Sequence, residues 1–433
     1  MSDLSFVRTD MLPEQDAPLG EVGFVGWVRA NLFSGVLNSI MTVLSVVIIF
    51  WIVSALLSWA LQSSWSATSL STCREQIAAA YGEGTHGACW AVIRERYLQL
   101  LYGFYPPESY WRINLTAVLM LVALAPILFT ALPRKMLWFS AIFPALAFWL
   151  LWGGSVWGPV SMLAGLAVGY FAFTFLANMS GTLLGIIGGV VATLIWWLFL
   201  AGPFAGAVHG ILPIGLTEIE SAKFGGFSLS IIIGVTGIVA SFPIGVVLAL
   251  GRQSNLLIVK SICIGFIEFI RGVPLITLLF VASTLLNYFL PPGTNFDIIL
   301  RVVIMVTLFA SAYMAEVVRG GLAALPKGQY EAADSLGLDY WKAQRLIIMP
   351  QALKISIPGI VSTFIGLFKD TTLVSIIGLL DPLGLSTAIR ADAAWNGIVW
   401  ELYAFIAFMF FIFCFSMSRY SMYLERKLQT GHH

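Results

Sequence analysis

The 433-residue sequence predicts an all-α polytopic membrane protein of about ten transmembrane helices. Three observations carry that expectation. Hydrophobic residues make up 59% of the chain and charged residues 10%, against about 25% charged in an ordinary soluble domain. Mean hydropathy is +0.90. From Met136 to Thr217 there is not one Asp, Glu, Lys or Arg, and a soluble fold needs a wetted surface along so long a stretch. A soluble globular enzyme, a disordered chain and a nucleic-acid binder are thereby excluded. Lys+Arg is 23 and Asp+Glu is 22, so net charge is silent on partners.

A span needs about 20 mostly apolar residues to cross the hydrocarbon core. The first five expected spans are Leu37–Leu61, Leu115–Leu132, Met136–Gly153, Pro159–Ala177 and Thr182–Ala201. The second five are Phe227–Leu250, Gly272–Leu290, Ile298–Ala315, Ile355–Leu379 and Ile398–Met417. Lys and Arg collect on cytoplasmic loops. One side of this arrangement holds Arg134, Lys135, Arg252, Lys260, Arg271, Arg319, Lys327, Lys342, Arg345, Lys354, Arg419, Arg426 and Lys427. The other holds mixed clusters such as Arg74, Glu75, Glu83, Arg94, Glu95 and Arg96. Both termini are therefore expected in the cytoplasm. No cleavable signal peptide is expected, because the first apolar span follows a mixed-charge segment. Residues 1–36 read as a cytoplasmic segment with an elbow helix within Gly20–Asn38, and residues 426–433 as a cytoplasmic tail.

The largest outer loop runs over about residues 62–112 and holds Cys73 and Cys89. In an oxidising compartment that spacing predicts a disulfide; two free thiols in one loop are the alternative. Cys263 and Cys414 lie in apolar spans and read as packing residues. No Cys/His spacing suggests a metal site. The chain divides near residue 220. Residues 37–220 form a transmembrane extension nearly free of ionisable residues within its spans, whereas residues 221–425 carry polar motifs. Polarity inside a membrane is costly and marks function, so the second half is expected to be the working part.

The informative stretch is the inner loop at about residues 319–354. Pro326 and Gly328 break the chain, and Gln329–Leu336 reads as a short helix. Gly337 suits a helix end that needs positive φ. Asp339 is placed to cap a second short helix, which Pro350 is expected to end. Leu336, Leu338, Tyr340 and Trp341 are available to a partner's groove, and the small Ala332, Ala333 and Gly337 to a close backbone approach. The loop reads as a docking element.

Here the residues resemble a known family. Glu331-Ala332-Ala333, three residues, Gly337, nine residues, Ile347, one residue, Met349-Pro350 is similar to the signature loop of ABC importer permeases. Only Met349 departs, where the family has Leu, a swap of similar volume and polarity. Glu268-Phe-Ile-Arg271-Gly272-Val-Pro274, Ala312-Tyr313-Met-Ala315-Glu316-Val-Val-Arg319 and Phe368-Lys369-Asp370-Thr371-Thr372 resemble segments of polar amino-acid permeases. The resemblance covers about residues 225–425. It implies a five-helix permease core in the C-terminal half, with Glu331, Ala332, Ala333, Gly337, Leu338, Asp339, Ile347 and Pro350 on the loop that couples to an ATPase. The extension is similar to that of general L-amino-acid and glutamate/glutamine/aspartate/asparagine importers, most of all the larger of their two permease chains.

Lys369 and Asp370 lie in or beside the ninth span, where a lone charge costs about 3 kcal/mol. Such residues suit the carboxylate and ammonium of an amino acid, with Thr371 and Thr372 adding hydroxyls. A structural pair or gate is the equal alternative. Glu268 and Arg271 stand at i,i+3 and are expected to pair and set how the next span enters the membrane; a place on the substrate path is the second reading. The same spacing joins Glu316 and Arg319. Most of the 15 Trp and 31 Phe, including Trp196-Trp197 and Trp152/Trp157, are expected to face lipid or the interfacial belts.

The sequence has no G-x-x-x-x-G-K-[ST] phosphate loop, and no Ser/His/Asp, Cys/His or H-E-x-x-H constellation. The chain is expected to be a transport subunit and not an enzyme, with no cofactor of its own. The resemblance implies two ATPase subunits that bind ATP and Mg, a second permease chain in a heterodimer, and a periplasmic amino-acid-binding protein. It places the chain in a bacterial inner membrane among lipid. The rival is an ion-coupled secondary carrier, which the absence of paired broken helices in the two halves disfavours.

Overall fold

A computed structural model describes residues 23–129, 131–285 and 297–429. It forms two units, residues 1–91 and 92–433. Among the described residues nine helices are long and apolar enough to cross a membrane, or ten if one sharply bent pair is a single span. Residues 1–22, 130, 286–290 and 430–433, all within expected elements, lie outside the described residues.

In the first unit, α1 (Gly23–Leu32) precedes α2 (Val36–Leu61), a 26-residue helix with no buried residue. The outer stretch that follows is not a bare loop. Ser69 accepts the Thr72 N–H at 3.2 Å and starts α3, Leu70–Tyr81. The Cys73 and Cys89 sulfurs lie 2.07 Å apart, at bonding distance. Both cysteines are buried with Ile77 and Ala88, and Ser64 N–H donates to Ala88 O at 3.1 Å. One backbone bond and one cross-link thus close a small apolar knot.

The second unit opens with the rest of α4 (Ala91–Tyr102), a second helix within the expected outer loop. The extension continues with α5 (Tyr110–Leu128), α6 (Leu137–Trp152), α7 (Trp157–Ser180), α8 (Thr182–Ile195) and α9 (Ala201–Ile211). Two expected boundaries move. The second span starts earlier: Arg112, at the end of the expected outer loop, lies inside α5, is buried and donates to Thr217 O at 2.8 Å. The fifth continues through a π-turn at Trp196–Leu200 into α9. The indoles of Trp196 and Trp197 donate to Ser161 O (2.9 Å) and Met162 O (3.0 Å). Those of Trp152 and Trp157 donate to Ser221 Oγ (2.7 Å) and Leu212 O (2.8 Å). These tryptophans therefore tie elements together and are not merely belt residues. A two-residue pair, β1 (Gly154–Ser155) with β2 (Gly215–Leu216), joins the outer ends.

The core contains α10 (Gly226–Gln253), α11 (Leu257–Gly272), α12 (Leu275–Thr284) and α13 (Ile298–Ala323). It ends with α14 (Lys327–Ser335), α15 (Tyr340–Ala343), α16 (Met349–Asp370), α17 (Pro382–Ala391) and α18 (Trp400–Gln429). α11 and α12 meet at 99° across Val273-Pro274, so the expected span from Gly272 is the second arm of a bent pair. Proline disfavours helix at the residue before it. Pro350 does not end α15. The helix runs on through a π-turn, Gln344–Ile348, into α16, with Pro350 in its first turn. The last helix reaches Gln429, past the expected start of the tail. α13 lies centrally against α10 and α16. Leu229, Ile233, Val302, Val306 and Val374 form the outer part of the apolar core, and Ala249, Met314, Val318, Ile348 and Ala352 the inner part.

Candidate functional site

The inner loop is anchored on one side and open on the other. Ala333 is buried against the core, as are Ile348 and Ala352 after the turn. Gln351 Nε2 donates to Gln329 Oε1 at 2.8 Å and ties the two arms. Gly337 has φ of 66°, which L side chains rarely adopt, and open space where a Cβ would stand. Asp339 accepts the Lys342 N–H at 3.0 Å and starts α15. That backbone bond, aided by the Lys342 ammonium 3.0 Å away, holds the Asp339 carboxyl below its ordinary range. Glu331, Ala332, Gly337 and Pro350 are exposed, while Leu338 and Ile347 are half-buried. Leu336 and Trp341 are each 71% exposed, and Tyr340 and Leu346 are exposed beside them. Ala333 thus faces inward, leaving Ala332 and Gly337 as the small residues open to an approach.

Directly above the loop is a charge cluster. Glu316, with its side chain 15% exposed, accepts from Arg252 at 2.6 Å and from Arg319 at 3.0 and 3.1 Å; Arg271 lies 3.5 Å away. Arg252 also meets Glu268 at 2.9 Å. The expected Glu316–Arg319 pair forms. The expected Glu268–Arg271 pair is replaced: Glu268 takes Arg252 of α10 and Arg271 takes Glu316 of α13, and the Arg271 guanidinium also sits 5.5 Å from the Tyr313 ring. One carboxylate therefore joins α10, α11 and α13 at the root of the loop. Arg252 was not singled out from sequence, because partners 16 and 64 residues away leave no local spacing signal.

Lys369 is exposed and Asp370 half-buried, and no ion pair joins them. Thr371 is fully buried and donates to Phe368 O at 2.8 Å; Thr372 donates to Lys369 O at 2.9 Å. The helix tightens into a 3-10 turn at Thr371–Ile377. The two hydroxyl protons are used within this turn, and their oxygens remain acceptors. Glu268 and Arg271 belong to the inner cluster, apart from them in the fold. Among the described residues no group of His, Cys, Asp and Glu could hold a metal ion.

A long apolar helical chain with an anchored, outward-facing inner loop is the architecture of a transport component. Residues 241–430 match the family model described as binding-protein-dependent transport system inner membrane component. The glutamate/glutamine/aspartate/asparagine transport system permease protein BztC of Rhodobacter capsulatus is 60% identical over 433 residues, covering both chains completely. The inner membrane amino-acid ABC transporter permease protein YhdY of Escherichia coli is 41% identical over 94% of this chain and 93% of its own. The probable glutamine ABC transporter permease protein GlnP of Bacillus subtilis is 31% identical over 46% of this chain and 90% of its own. The solved structure of an amino acid ABC transporter with histidines aligns over 46% of this chain and 90% of that one, at 30% identity and a TM-score of 0.42. The chain belongs to the family of binding-protein-dependent inner-membrane permeases of ABC transporters.

Proposed function

We propose that the chain is the transmembrane subunit of an ATP-driven importer of polar L-amino acids, with glutamate, glutamine, aspartate and asparagine the first substrates to test. Its similarity to BztC over the full length of both chains supports the substrate class. The observation that carries the mechanism is the inner loop, rigid at its root and apolar at its tip. Two ATPase subunits, binding ATP and Mg, grip this loop and that of a second permease chain. Their closure pushes the loop; the Glu316 cluster passes the push to α10 and α11; the paired cores switch access from one side to the other as rigid bodies. A periplasmic binding protein delivers the amino acid. Lys369 and Asp370 offer an ammonium and a carboxylate to its two charges. Both termini face the cytoplasm of a bacterial cell.

The test is purification of the chain from its native membrane in mild detergent, identification of what accompanies it, and uptake in liposomes. A second permease, an ATPase and binding-protein-stimulated ATP hydrolysis with amino-acid uptake are expected. Recovery of the chain alone, with uptake that follows an ion gradient, would replace this reading by the secondary carrier. Lys369→Ala is expected to lower uptake while binding-protein delivery stays normal; unchanged uptake would leave Lys369 with a structural role.

A further inference from the structure

The outer segment 92–106 carries contacts that the importer reading does not use. At Gly103, with φ of 68°, a Cβ would stand 2.4 Å from Gly225 Cα; at Gly226, with φ of 61°, it would stand 2.2 Å from Leu100 O. Backbone meets backbone there with no room for a side chain. Gly226 N–H in turn donates to Leu380 O at 2.8 Å, and Gly225 and Leu380 form a parallel bridge. In the middle of α4, Arg96 pairs with Asp392, just after α17, with side chains 31% and 36% exposed. Leu101 packs on the cluster of Phe227, Phe368 and Phe410, and Phe368 directly precedes Lys369. Tyr105 is buried beside Phe224, its hydroxyl donating to Leu151 O at 2.7 Å. The family match begins at residue 241, so α4 is an addition seated on the core.

We infer that residues 92–106 are a strap that binds the outer end of α10 and the outer loop 378–392 into one rigid body and thereby positions the Phe368–Asp370 stretch. Two fastenings on two core segments support this: the glycine seam against Gly225–Gly226 and the Arg96–Asp392 pair, while the Gly226 N–H to Leu380 O bond joins those core segments to each other. The positioning part rests on the importer reading; the fastening part does not. Arg96, Leu100, Leu101 and Gly103 are then positioning residues that touch no substrate.

Hydrogen exchange on the full chain in nanodiscs tests the fastening. Arg96→Glu and Asp392→Arg are each expected to speed exchange over residues 381–392, and the double reversal to restore it. A part-exposed pair is worth at most about 1 kcal/mol, so the change should be up to about five-fold. Gly103→Ala, which strikes the seam itself, is expected to spread faster exchange to residues 366–377. Unchanged exchange in all of these would overturn the strap. In the reconstituted complex, the single reversals are expected to raise the KM for uptake and lower transport per ATP hydrolysed, and the double reversal to rescue both. Faster exchange with unaltered uptake would overturn the positioning role. Absence of ATP-driven uptake in the wild-type complex would instead overturn the importer reading, while the exchange result still judges the strap.

Discussion

The extension and the core are about equally apolar, yet they are held together differently. In α2 no residue is buried, whereas half of the apolar stretch of α13 is. Extension helices present Leu, Ile and Phe outward; among their described residues, only α7 and α8 meet across a buried glycine seam, at Gly169, Gly185 and Gly189, and indole-to-carbonyl bonds add to it. The core buries Ser230, Ser241, Thr307, Ser311 and Ser356 between helices and joins three of them through Glu316. Lipid tails are as apolar as leucine, so apolar area gives little reason for one helix to prefer another over lipid. Small residues, hydrogen bonds and placed charge supply that reason. The comparison teaches that hydropathy shows where this chain crosses the membrane, and polar residues show where it does something there.

The largest expected effect lies in the core, at the loop. Gly337→Asp puts a side chain at positive φ, costing about 1 kcal/mol, and adds a charge where a partner's backbone would approach. Membrane insertion should be normal and co-purification with the ATPase lost. Normal co-purification would remove the loop from the docking role. The next effect tests the extension. Cys73→Ser with Cys89→Ser opens a loop of 16 residues, removing about 3 kcal/mol of local stability in the chain-entropy model. Proteolysis should become faster within residues 62–90 while the thermal transition of the core stays put. A fall in that transition would break the contrast drawn between the two regions.

Glu316→Gln sharpens the contrast from the core side. The isostere keeps volume but leaves Arg252, Arg271 and Arg319 without their shared carboxylate. Fully buried pairs cost 3–5 kcal/mol when one partner is removed; this partly wetted cluster should lose about 2 kcal/mol. A lower thermal transition in detergent and hydrolysis uncoupled from uptake are expected. An unshifted transition would mean that solvent screens the cluster and that the three helices are held by packing alone.

Much of the fold was legible because its signals are local: apolar runs, Gly337 for positive φ, Asp339 for a cap, and clustered Lys and Arg. What was not legible is long-range or depends on helix geometry. Pro350 shows this: it reads as a helix end, yet it sits harmlessly in a first turn because a π-turn precedes it, and a π-turn has no sequence spelling. The helices of residues 62–112 were hidden because apolar runs there are short. Glu268 and Arg271 have the spacing of a pair and yet choose other partners, since α10 and α13 bring a nearer guanidinium and carboxylate. Thr371 and Thr372 read as substrate hydroxyls, and the 3-10 turn that gives each a backbone acceptor has no local signal either.

The smallest effect concerns Asp381, which lies between the last two spans and caps α17 by accepting the Leu383 and Gly384 N–H groups at 3.1 and 3.0 Å. Burial raises its carboxyl to about 6 in spite of those bonds. A raised acid means that the folded protein binds the proton more tightly than the unfolded chain does, so stability falls as pH rises from about 4 to about 6. Asn keeps one of the two cap bonds on its single acceptor oxygen and cannot ionise. Below pH 4 the Asp381→Asn variant should be less stable than the wild type by the lost cap bond; above pH 6 it should be the more stable. The full shift amounts to about 3 kcal/mol, and the lost cap bond offsets part of it, so about 1 kcal/mol should remain above pH 6. Thermal melts of both proteins between pH 4 and 7 read that difference directly. A variant less stable than wild type at pH 7 would show that the ionised carboxylate is stabilised there. The outer loop of the core would then be held by charge, as its inner end is.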